Sequence, residues 1–109
     1  MDFNLVVLGG RLAAPVEIRT FDSGMQLARL LVTVRSEEPL PRIDVIPVSM
    51  WNPEDDFLSD LPTPGRSVFV AGAVQRRFWD ATEGRRSRIE VIARHIEVKE
   101  DSPEGVAVS

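Results

Sequence analysis

Apolar and polar residues alternate along much of the chain, with the two-residue period of a half-buried strand. The first such segment covers residues 4–12, where the adjacent Gly9 and Gly10 predict a bulge or a sharp bend. Alternation resumes through residues 16–20, and the sequence FDSG at 21–24 predicts a turn. The chain therefore begins with a bent strand that leads into a tight turn.

Two more strands follow in the pattern. Residues 25–34 include the almost continuously apolar run 27–34, which is typical of a strand buried on both sides or lying in a subunit contact. Residues 43–51 form the third predicted strand. Pro47 within it cannot donate a ladder hydrogen bond, so we expect this strand to lie at a sheet edge or to bulge there.

One helix is predicted after the third strand. Asn52 is a favourable N-cap, Pro53 suits the first helical position, and the acidic residues 54–56 complement the helix dipole. The apolar residues that then share one face, and that we expect to cover the core, are Phe57, Leu58 and Leu61. The prolines that follow in sequence, Pro62 and Pro64, end the predicted helix.

A long hairpin is predicted over residues 67–93. Its apolar arms, 67–74 and 89–93, flank a basic and aromatic segment of sequence RRFW at 76–79, and residues 80–84 predict the turn. An aromatic ring beside a guanidinium on an exposed ribbon can stack on a base while its neighbour binds a phosphate. The hairpin is therefore the first candidate for a nucleic-acid contact.

Side-chain alternation assigns the two faces of this hairpin. Trp79 shares one face with Arg77, whereas Phe78 shares the other with Arg76 and Val74. The valines lower on the same strand make the second face the core side, so we expect Trp79 on the outer, solvent side. Phe78 either continues the apolar face or is exposed at the tip.

The order of elements predicts the fold class. Three strands, one helix and two hairpin strands describe an all-β protein, a five-stranded OB-fold barrel with its helix between strands 3 and 4 and a long hairpin of strands 4 and 5. A chain of 109 residues is long enough for one core. We expect one OB domain over residues 1–98 and a short, acidic, flexible tail over residues 99–109.

The distribution of charge along the chain bears on whether the partner is a nucleic acid. The net charge of −4 argues against nucleic acid at first sight. Residues 66–94, however, carry seven arginines against three carboxylates, a net +4, which leaves −8 for the rest of the chain. Twelve of the 13 basic residues are arginine, the side chain that both forks onto phosphates and stacks on bases.

Three alternatives to phosphate contact remain open for these arginines. A high-GC coding bias accounts for their number equally well. They also suit an ordinary solvated face, or pairs across the hairpin with Asp80, Glu83 and Glu90. The concentration of positive charge in one hairpin favours phosphate contact over these alternatives.

Several classes of site are not expected. With no cysteine and a single histidine, His95, the chain cannot build a zinc site of the usual type, and the acidic residues 54–56 suit a helix start better than a metal. No phosphate-binding glycine loop and no nucleophile–base–acid arrangement is present, so we expect no enzyme and no cofactor. No apolar run approaches ~18 residues and no secretory leader is visible, so we expect a cytoplasmic, nucleoid-associated protein without a membrane partner.

The chain resembles the bacterial single-stranded DNA-binding protein family over about residues 3–98. The matching pieces, in chain order, are Asn4-x-Val6-x-Leu8-x-Gly10-Arg11-Leu12, Pro15-Val16-Glu17-Ile18-Arg19, Ser23-Gly24, Ala28, Asp44-x-Ile46-Pro47-Val48-x-x-Trp51, Gly65-x-x-Val68-x-Val70-x-Gly72, Arg77-x-Trp79 and Glu90-Val91. Each piece is weak alone, but their order and spacing together are fairly specific.

This resemblance implies an OB fold, self-assembly usually as a homotetramer, and sequence-tolerant binding of single-stranded DNA. It also places Trp51 and Trp79 at positions where family members stack bases, and Arg77 at a phosphate-contacting position. The chain is similar in its tailless length to the primosomal replication protein of the same superfamily, so a dimer is the other assembly that the resemblance allows.

The chain also departs from the family pattern. The acidic sequence SEE stands at 36–38, where family members commonly carry an aromatic, and Pro47 and Pro53 replace basic residues. The hairpin is one residue shorter than usual after Gly84, and the long tail with its acidic, partner-recruiting tip is missing. These departures favour a short paralogue with weaker or specialised DNA binding.

Two functions of different classes follow. The first is sequence-independent binding of single-stranded DNA in replication, recombination or repair. The residues predicted to contact DNA are Trp51, Trp79, Arg77, Phe78, Arg76, Arg86, Arg88, Arg11, Arg19 and Arg35. The second is an oligomeric OB-fold interaction protein with weak or no DNA binding, which would use residues 27–34 and the edge near Pro47 for contacts with itself or a partner.

Overall fold

A computed structural model describes residues 1–99, so the predicted tail beyond Lys99 lies outside the described residues. The elements, in chain order, are β1 (Val6–Leu12), β2 (Glu17–Thr20), β3 (Gln26–Ser36), β4 (Arg42–Trp51), α1 (Asp55–Ser59), β5 (Ser67–Ala81) and β6 (Gly84–Val98). The prediction of a β protein with one helix before the final hairpin is confirmed. No helix in this part of the chain is long and apolar enough to cross a membrane.

The strands form one sheet in the order β1-β5-β6-β4-β3-β2, and β1 also pairs with β3, which closes the barrel. β1 and β2 lie one after the other along β3, with Leu12 opposite Val32 and Glu17 opposite Arg29. They are two segments of the predicted first strand, so the barrel has five strand paths. This order, with β4 parallel to β6, is the predicted OB fold.

The bend predicted at Gly9 and Gly10 lies where β1 passes from β5 to β3. Gly10 pairs with Val68 of β5, and the pairing with β3 begins at the next residue. A Cβ atom at Gly10 would clash with the backbone oxygen of Thr33. Only glycine therefore permits this close approach of two strands.

Alternate residues of the strands fill the core. The buried set consists of Leu12, Ala28, Leu30, Val32, Val48, Val68, Val70, Val91 and Ala93. The prediction that β3 is buried on both sides within one chain is wrong, because Arg29 is only half-buried and Leu31 is 40% exposed. The apolar run therefore supplies one core face and one partly exposed outer face.

The helix is shorter than predicted. It begins at Asp55 rather than Pro53, and Glu54 at the N-cap makes no side-chain hydrogen bond. Asn52 has another role: at φ 48° it turns the chain after β4, and its Oδ1 accepts a hydrogen bond from the backbone N–H of Gln26 at 3.0 Å. Phe57 packs against the core, as predicted.

The prediction that the strand of Pro47 lies at a sheet edge is wrong for β4 as a whole, which lies between β6 and β3, but at Pro47 itself β4 has no partner on its β6 side. On the β4 side, the ladder between β4 and β6 contains only the next two residues, Val48 and Ser49. No acceptor on β6 therefore requires a backbone N–H at position 47. On the other side, Pro47 lies opposite Leu31 of β3. A proline is tolerated there because no ladder donor is lost.

The hairpin of β5 and β6 is longer than the apolar arms predicted. It pairs without a break from Gly72 opposite Ala93 to Ala81 opposite Gly84, which leaves a two-residue turn. A bulge between Ala71 and Gly72 interrupts the lower part, where Arg94 is left without a partner on β5. The uninterrupted part, from Gly72 to the turn, carries the arginines and aromatics and extends beyond the barrel core.

Candidate nucleic-acid interface

A groove runs along the outer face of the barrel between the two tryptophans. One hollow of about 270 Å³ is lined by Arg19, Phe21, Leu27, Arg29, Ser49, Trp51, Gln75, Arg77, Glu90 and Ile92. An adjoining hollow of about 390 Å³ is lined by Arg29, Arg77, Trp79 and Arg88. Because the hollows share two arginines, we treat them as one site and call it the tryptophan groove.

Strand pairing explains why these side chains meet. Directly opposed residues of an antiparallel pair point to the same face, and alternate residues along a strand do too. Arg77 lies opposite Arg88, and two residues on, Trp79 lies opposite Arg86. On the far side of the groove, Trp51 closes β4 opposite Leu27. The prediction from alternation that Trp79 faces outward agrees with this placement.

Both tryptophans are open to a ligand. Trp51 is 45% exposed and Trp79 is 42% exposed. Trp51 is supported by Phe21, with ring centroids 5.7 Å apart and planes inclined at 31°, and the guanidinium of Arg19 lies 5.1 Å from the centre of the Phe21 ring. Such a packed ring keeps its orientation while one face remains free for stacking.

The groove between the rings is positively charged. In the described part of the chain, the guanidinium groups of Arg29, Arg77 and Arg88 make no hydrogen bond or ion pair, and the Nε of Arg29 is buried without a partner. The carboxylate that lines the same groove is that of Glu90, which is 6% exposed and accepts a hydrogen bond from the Ser49 hydroxyl at 3.1 Å. A second carboxylate, that of Glu17, lies opposite Arg29 on β2 and lines a neighbouring hollow that also contains Arg29 and Arg88. Four arginines line the groove against these two carboxylates, so positive charge predominates and favours an anionic ligand.

The other face of the hairpin carries Phe78 and Arg76, two of the predicted contact residues, away from the groove. Arg76 donates a hydrogen bond from Nη1 to the Ser87 hydroxyl at 3.1 Å. The guanidinium of Arg85 lies 4.4 Å from the centre of the Phe78 ring, which is itself 51% exposed. These side chains satisfy one another and do not line the groove.

The remaining predicted arginines fall into three positions. Arg88 lines the groove and Arg19 lies at its Trp51 end. Arg86 shares the face of Trp79 but pairs with Glu83 at 2.7 Å, an exposed contact. Arg11 and Arg35 lie elsewhere, in a separate cleft of about 480 Å³.

Several groove residues are not in the set predicted to contact DNA, namely Phe21, Arg29, Ser49, Gln75 and Glu90. Arg29 had a detectable signal, since it is the charged residue inside the apolar run of β3 and therefore had to face outward. Gln75 had one too, since alternation puts it on the face of Arg77 and Trp79. Phe21, Ser49 and Glu90 had none, because their place depends on which strands lie side by side.

Within residues 1–99, no group of three or more acidic, histidine or cysteine side chains is arranged to hold a metal ion.

Comparison with known proteins agrees with this architecture. The single-strand binding protein family matches residues 3–99, nearly the whole described chain. The chain belongs to the single-strand binding protein family. Proteins of this family are DNA-binding proteins without enzymatic activity.

Curated relatives in this family are distant. The chain is 24% identical to the single-stranded DNA-binding protein of Treponema pallidum (strain Nichols), over 89% of this chain and 58% of that protein. It is 28% identical to single-stranded DNA-binding protein 3 of Clostridium acetobutylicum, over 89% of this chain and 71% of that protein. The chain thus spans somewhat more than half of the Treponema relative's length.

A solved structure shows the same fold at still lower identity. The single-strand binding protein of Plasmodium falciparum, solved in complex with single-stranded DNA, superposes with a TM-score of 0.80. The match covers 92% of this chain and 97% of that one, at 16% sequence identity. At this identity the likeness establishes the OB fold of the family and nothing finer.

Proposed function

We propose that this chain binds single-stranded DNA without sequence preference, by stacking bases on Trp51 and Trp79 and by neutralising phosphates with the arginines between them. One observation carries the proposal. Two half-exposed tryptophans lie at the ends of one groove whose central guanidinium groups have no partner in the described residues. An aromatic platform combined with a positive track is the usual design of single-strand binders.

Sequence tolerance follows from the kind of contact. Every base has a flat face that a tryptophan can cover, and every phosphate carries the same charge, so neither contact distinguishes bases. The polar groups at the groove floor are few, and Ser49 and Glu90 are engaged with each other. Stacking and phosphate contact therefore dominate over hydrogen bonding to base edges.

The proposed role follows from family membership and from the activity for which the relatives are named. A protein that covers single strands acts wherever strands are separated, which includes replication, recombination and repair. It would do so in the cytoplasm, at the nucleoid.

Self-association is the second part of the proposal. An apolar strip outside the groove runs over Leu31 on β3 and over Val45 and Ile43 on β4, which are 40%, 54% and 57% exposed. Leu31 also lies opposite Pro47, so the strip follows the two strands that the sequence singled out for a subunit contact. Burial of such a patch stabilises association by roughly 25 cal/mol per Å². A homotetramer or a dimer is the expected assembly, and light scattering at micromolar concentration measures it.

The same strip supports the alternative function, an interaction protein that has kept the OB fold and has lost DNA binding. Intrinsic tryptophan fluorescence during titration with poly-dT, at low and at high salt, separates the two. Stacking on either ring quenches emission, and phosphate neutralisation makes the affinity fall with salt, with a slope near −0.7 per phosphate contacted.

Saturable quenching that weakens as salt rises supports DNA binding by the tryptophan groove. Unchanged emission at low salt, together with unchanged anisotropy of a labelled oligonucleotide, contradicts it and supports the interaction protein. Quenching that does not depend on salt would retain stacking but remove the arginines from the mechanism.

A further inference from the structure

The floor of the tryptophan groove carries a group that stacking and phosphate contact leave unused. Ser49 and Glu90, which are 3% and 6% exposed, line the hollow next to Trp51. The arginines that line the same hollow are half-buried or exposed, so they stand nearer its rim. The groove therefore combines a cationic rim with a floor that holds a buried carboxylate.

Strand pairing fixes the position of this carboxylate. Glu90 lies on β6 opposite Gln75 of β5. Its side chain reaches the neighbouring strand β4, where the Ser49 hydroxyl donates a hydrogen bond to Oε2 at 3.1 Å. The two strands are adjacent here because Ser49 pairs with Ile92 of β6. A carboxylate held from the next strand in this way keeps its direction when a ligand enters.

The second oxygen of the carboxylate, Oε1, is open to a ligand. It makes no hydrogen bond or ion pair within residues 1–99, and it is not fully enclosed as the Nε of Arg29 is. A carboxylate has about four acceptor sites, and Ser49 occupies one of them. Because a buried charge with few partners is costly, an N–H group of a ligand that reaches Oε1 is favoured.

The other polar groups of the hollow do not distinguish one base from another. Guanidinium groups only donate, and every base carries acceptor atoms. The amide of Gln75 both donates and accepts, so it suits any base edge. Glu90 differs from these groups because a carboxylate only accepts, and it therefore selects for a donor on the base.

The bases differ in what they offer to such an acceptor. Cytosine and adenine carry an amino group that donates hydrogen bonds, whereas thymine carries the carbonyl oxygen O4 at the corresponding edge. Opposite Oε1, the thymine oxygen would bring two negatively polarised atoms together. A base that enters the hollow while its phosphates stay with the arginines at the rim turns this edge toward the floor.

We propose that Glu90, positioned by Ser49, is a specificity-determining residue that biases the groove toward bases with an exocyclic amino group and against thymine. The inference rests on the proposed function and deepens it, since all bases still stack on the tryptophans. A carboxylate that accepts from the cytosine amino group is a known form of base readout. One contact at a partly open atom supplies less than a bidentate pair, so we expect a bias of about three- to fivefold.

The test uses two homo-oligomers of about 8 nucleotides, one of thymine and one of 5-methylcytosine. These bases share their ring and methyl group, so they stack on tryptophan about equally, and they differ at the edge that would meet Oε1. Anisotropy titrations at mildly alkaline pH, where cytosine is neutral, give the ratio of the two affinities. Comparing this ratio between the unaltered protein and Glu90→Gln cancels the different stiffness of the two free strands.

In Glu90→Gln, the amide oxygen still accepts from Ser49, and Nε2 takes the place of Oε1 as a donor toward thymine O4. We expect the ratio of affinities to shift toward thymine by at least about threefold. An unchanged ratio would overturn the inference, because Glu90 would then act only through its charge on the arginines.

A matched control removes the same charge near the same arginines but outside the groove. Glu17 is exposed, lies opposite Arg29 on β2 and lines a hollow with Arg29 and Arg88, but it lines neither hollow of the tryptophan groove. Glu17→Gln should raise the affinity for both oligomers alike and leave their ratio unchanged. An equal shift of the ratio in this control would overturn the inference.

A second measurement needs only the unaltered protein, so it does not depend on how a variant at a buried position folds. An oligothymidylate in which one central thymine is replaced by 5-methylcytosine should bind about threefold more tightly than its parent. Equal or weaker binding would overturn the inference while tryptophan quenching upholds the groove. Absence of quenching by either oligonucleotide would overturn the groove, and with it the inference.

Discussion

The two faces of the β5–β6 hairpin carry nearly the same residue types and yet differ in what those residues can do. Each face presents an aromatic ring with arginines beside it. The face turned away from the groove is called the inner face, because Val68 and Val70 carry it into the core at the base of β5. On this face, Arg85 covers Phe78 and Arg76 bonds to Ser87. On the outer face, Trp79 and Arg77 line a groove and have no such partners in the described chain.

The difference shows that composition alone does not make a binding surface. A guanidinium that already stacks on a ring or bonds to a hydroxyl must give up that contact before it binds a phosphate. An unpaired guanidinium beside other cations is relieved of repulsion when an anion arrives. The outer face is therefore the proposed DNA-binding face, and three paired substitutions test this assignment.

The largest effect is expected from the aromatic pair. Trp79→Ala should weaken binding to all oligonucleotide sequences alike by about 1–3 kcal/mol, or roughly 5- to 150-fold, since a base loses its stacking partner. Phe78→Ala, one residue away on the inner face, should change the affinity less than about twofold. Anisotropy titrations with labelled oligothymidylate measure both. Equal losses in the two variants would mean that both faces contact DNA.

A smaller effect is expected from the neighbouring arginines. Arg77→Ala should cost about 1 kcal/mol and lower the salt slope by about 0.7, because one phosphate contact is lost. Arg76→Ala should leave the slope unchanged, since its guanidinium is engaged by Ser87. The slopes come from affinities measured over a series of salt concentrations. A slope that falls in Arg76→Ala and persists in Arg77→Ala would reverse the assignment of faces.

The smallest effect, and an increase, is expected from releasing a paired arginine. Glu83→Gln frees Arg86, which lies opposite Trp79, and should raise the affinity about twofold, the scale of an exposed ion pair. Asp80→Asn removes the same charge from the inner face and should have less effect. If both variants gain equally, the change comes from net charge rather than from a contact by Arg86.

Much of the fold could be predicted because it depends on local periodicity. The two-residue period placed the strands and assigned Trp79 to the outer face, and the chemistry of proline indicated that the third predicted strand lacks a partner on one side at Pro47. The helix start was wrong because Asn52 bonds to Gln26 on another strand, an interaction that local helix propensity does not contain. Tertiary contacts overrode a favourable capping sequence.

The site could be predicted only in part, for the same physical reason. Trp51 and Trp79 lie 28 residues apart in sequence, and only the pairing of β6 with both β4 and β5 brings them to one groove. Phe21 and Arg29 join them through the pairing of β3. Arg11 and Arg35 had the right chemistry and lie in another cleft, because the face of a strand was known but its neighbours were not.

The most direct test of the proposed groove uses the two tryptophans as separate reporters. Trp51→Phe and Trp79→Phe each leave one tryptophan and keep an aromatic ring for stacking. Fluorescence titrations of both variants with the same oligothymidylate should show quenching that saturates at the same DNA concentration, because one strand occupies both ends of the groove. Quenching confined to one variant, or saturation at clearly different concentrations, would contradict a single continuous groove.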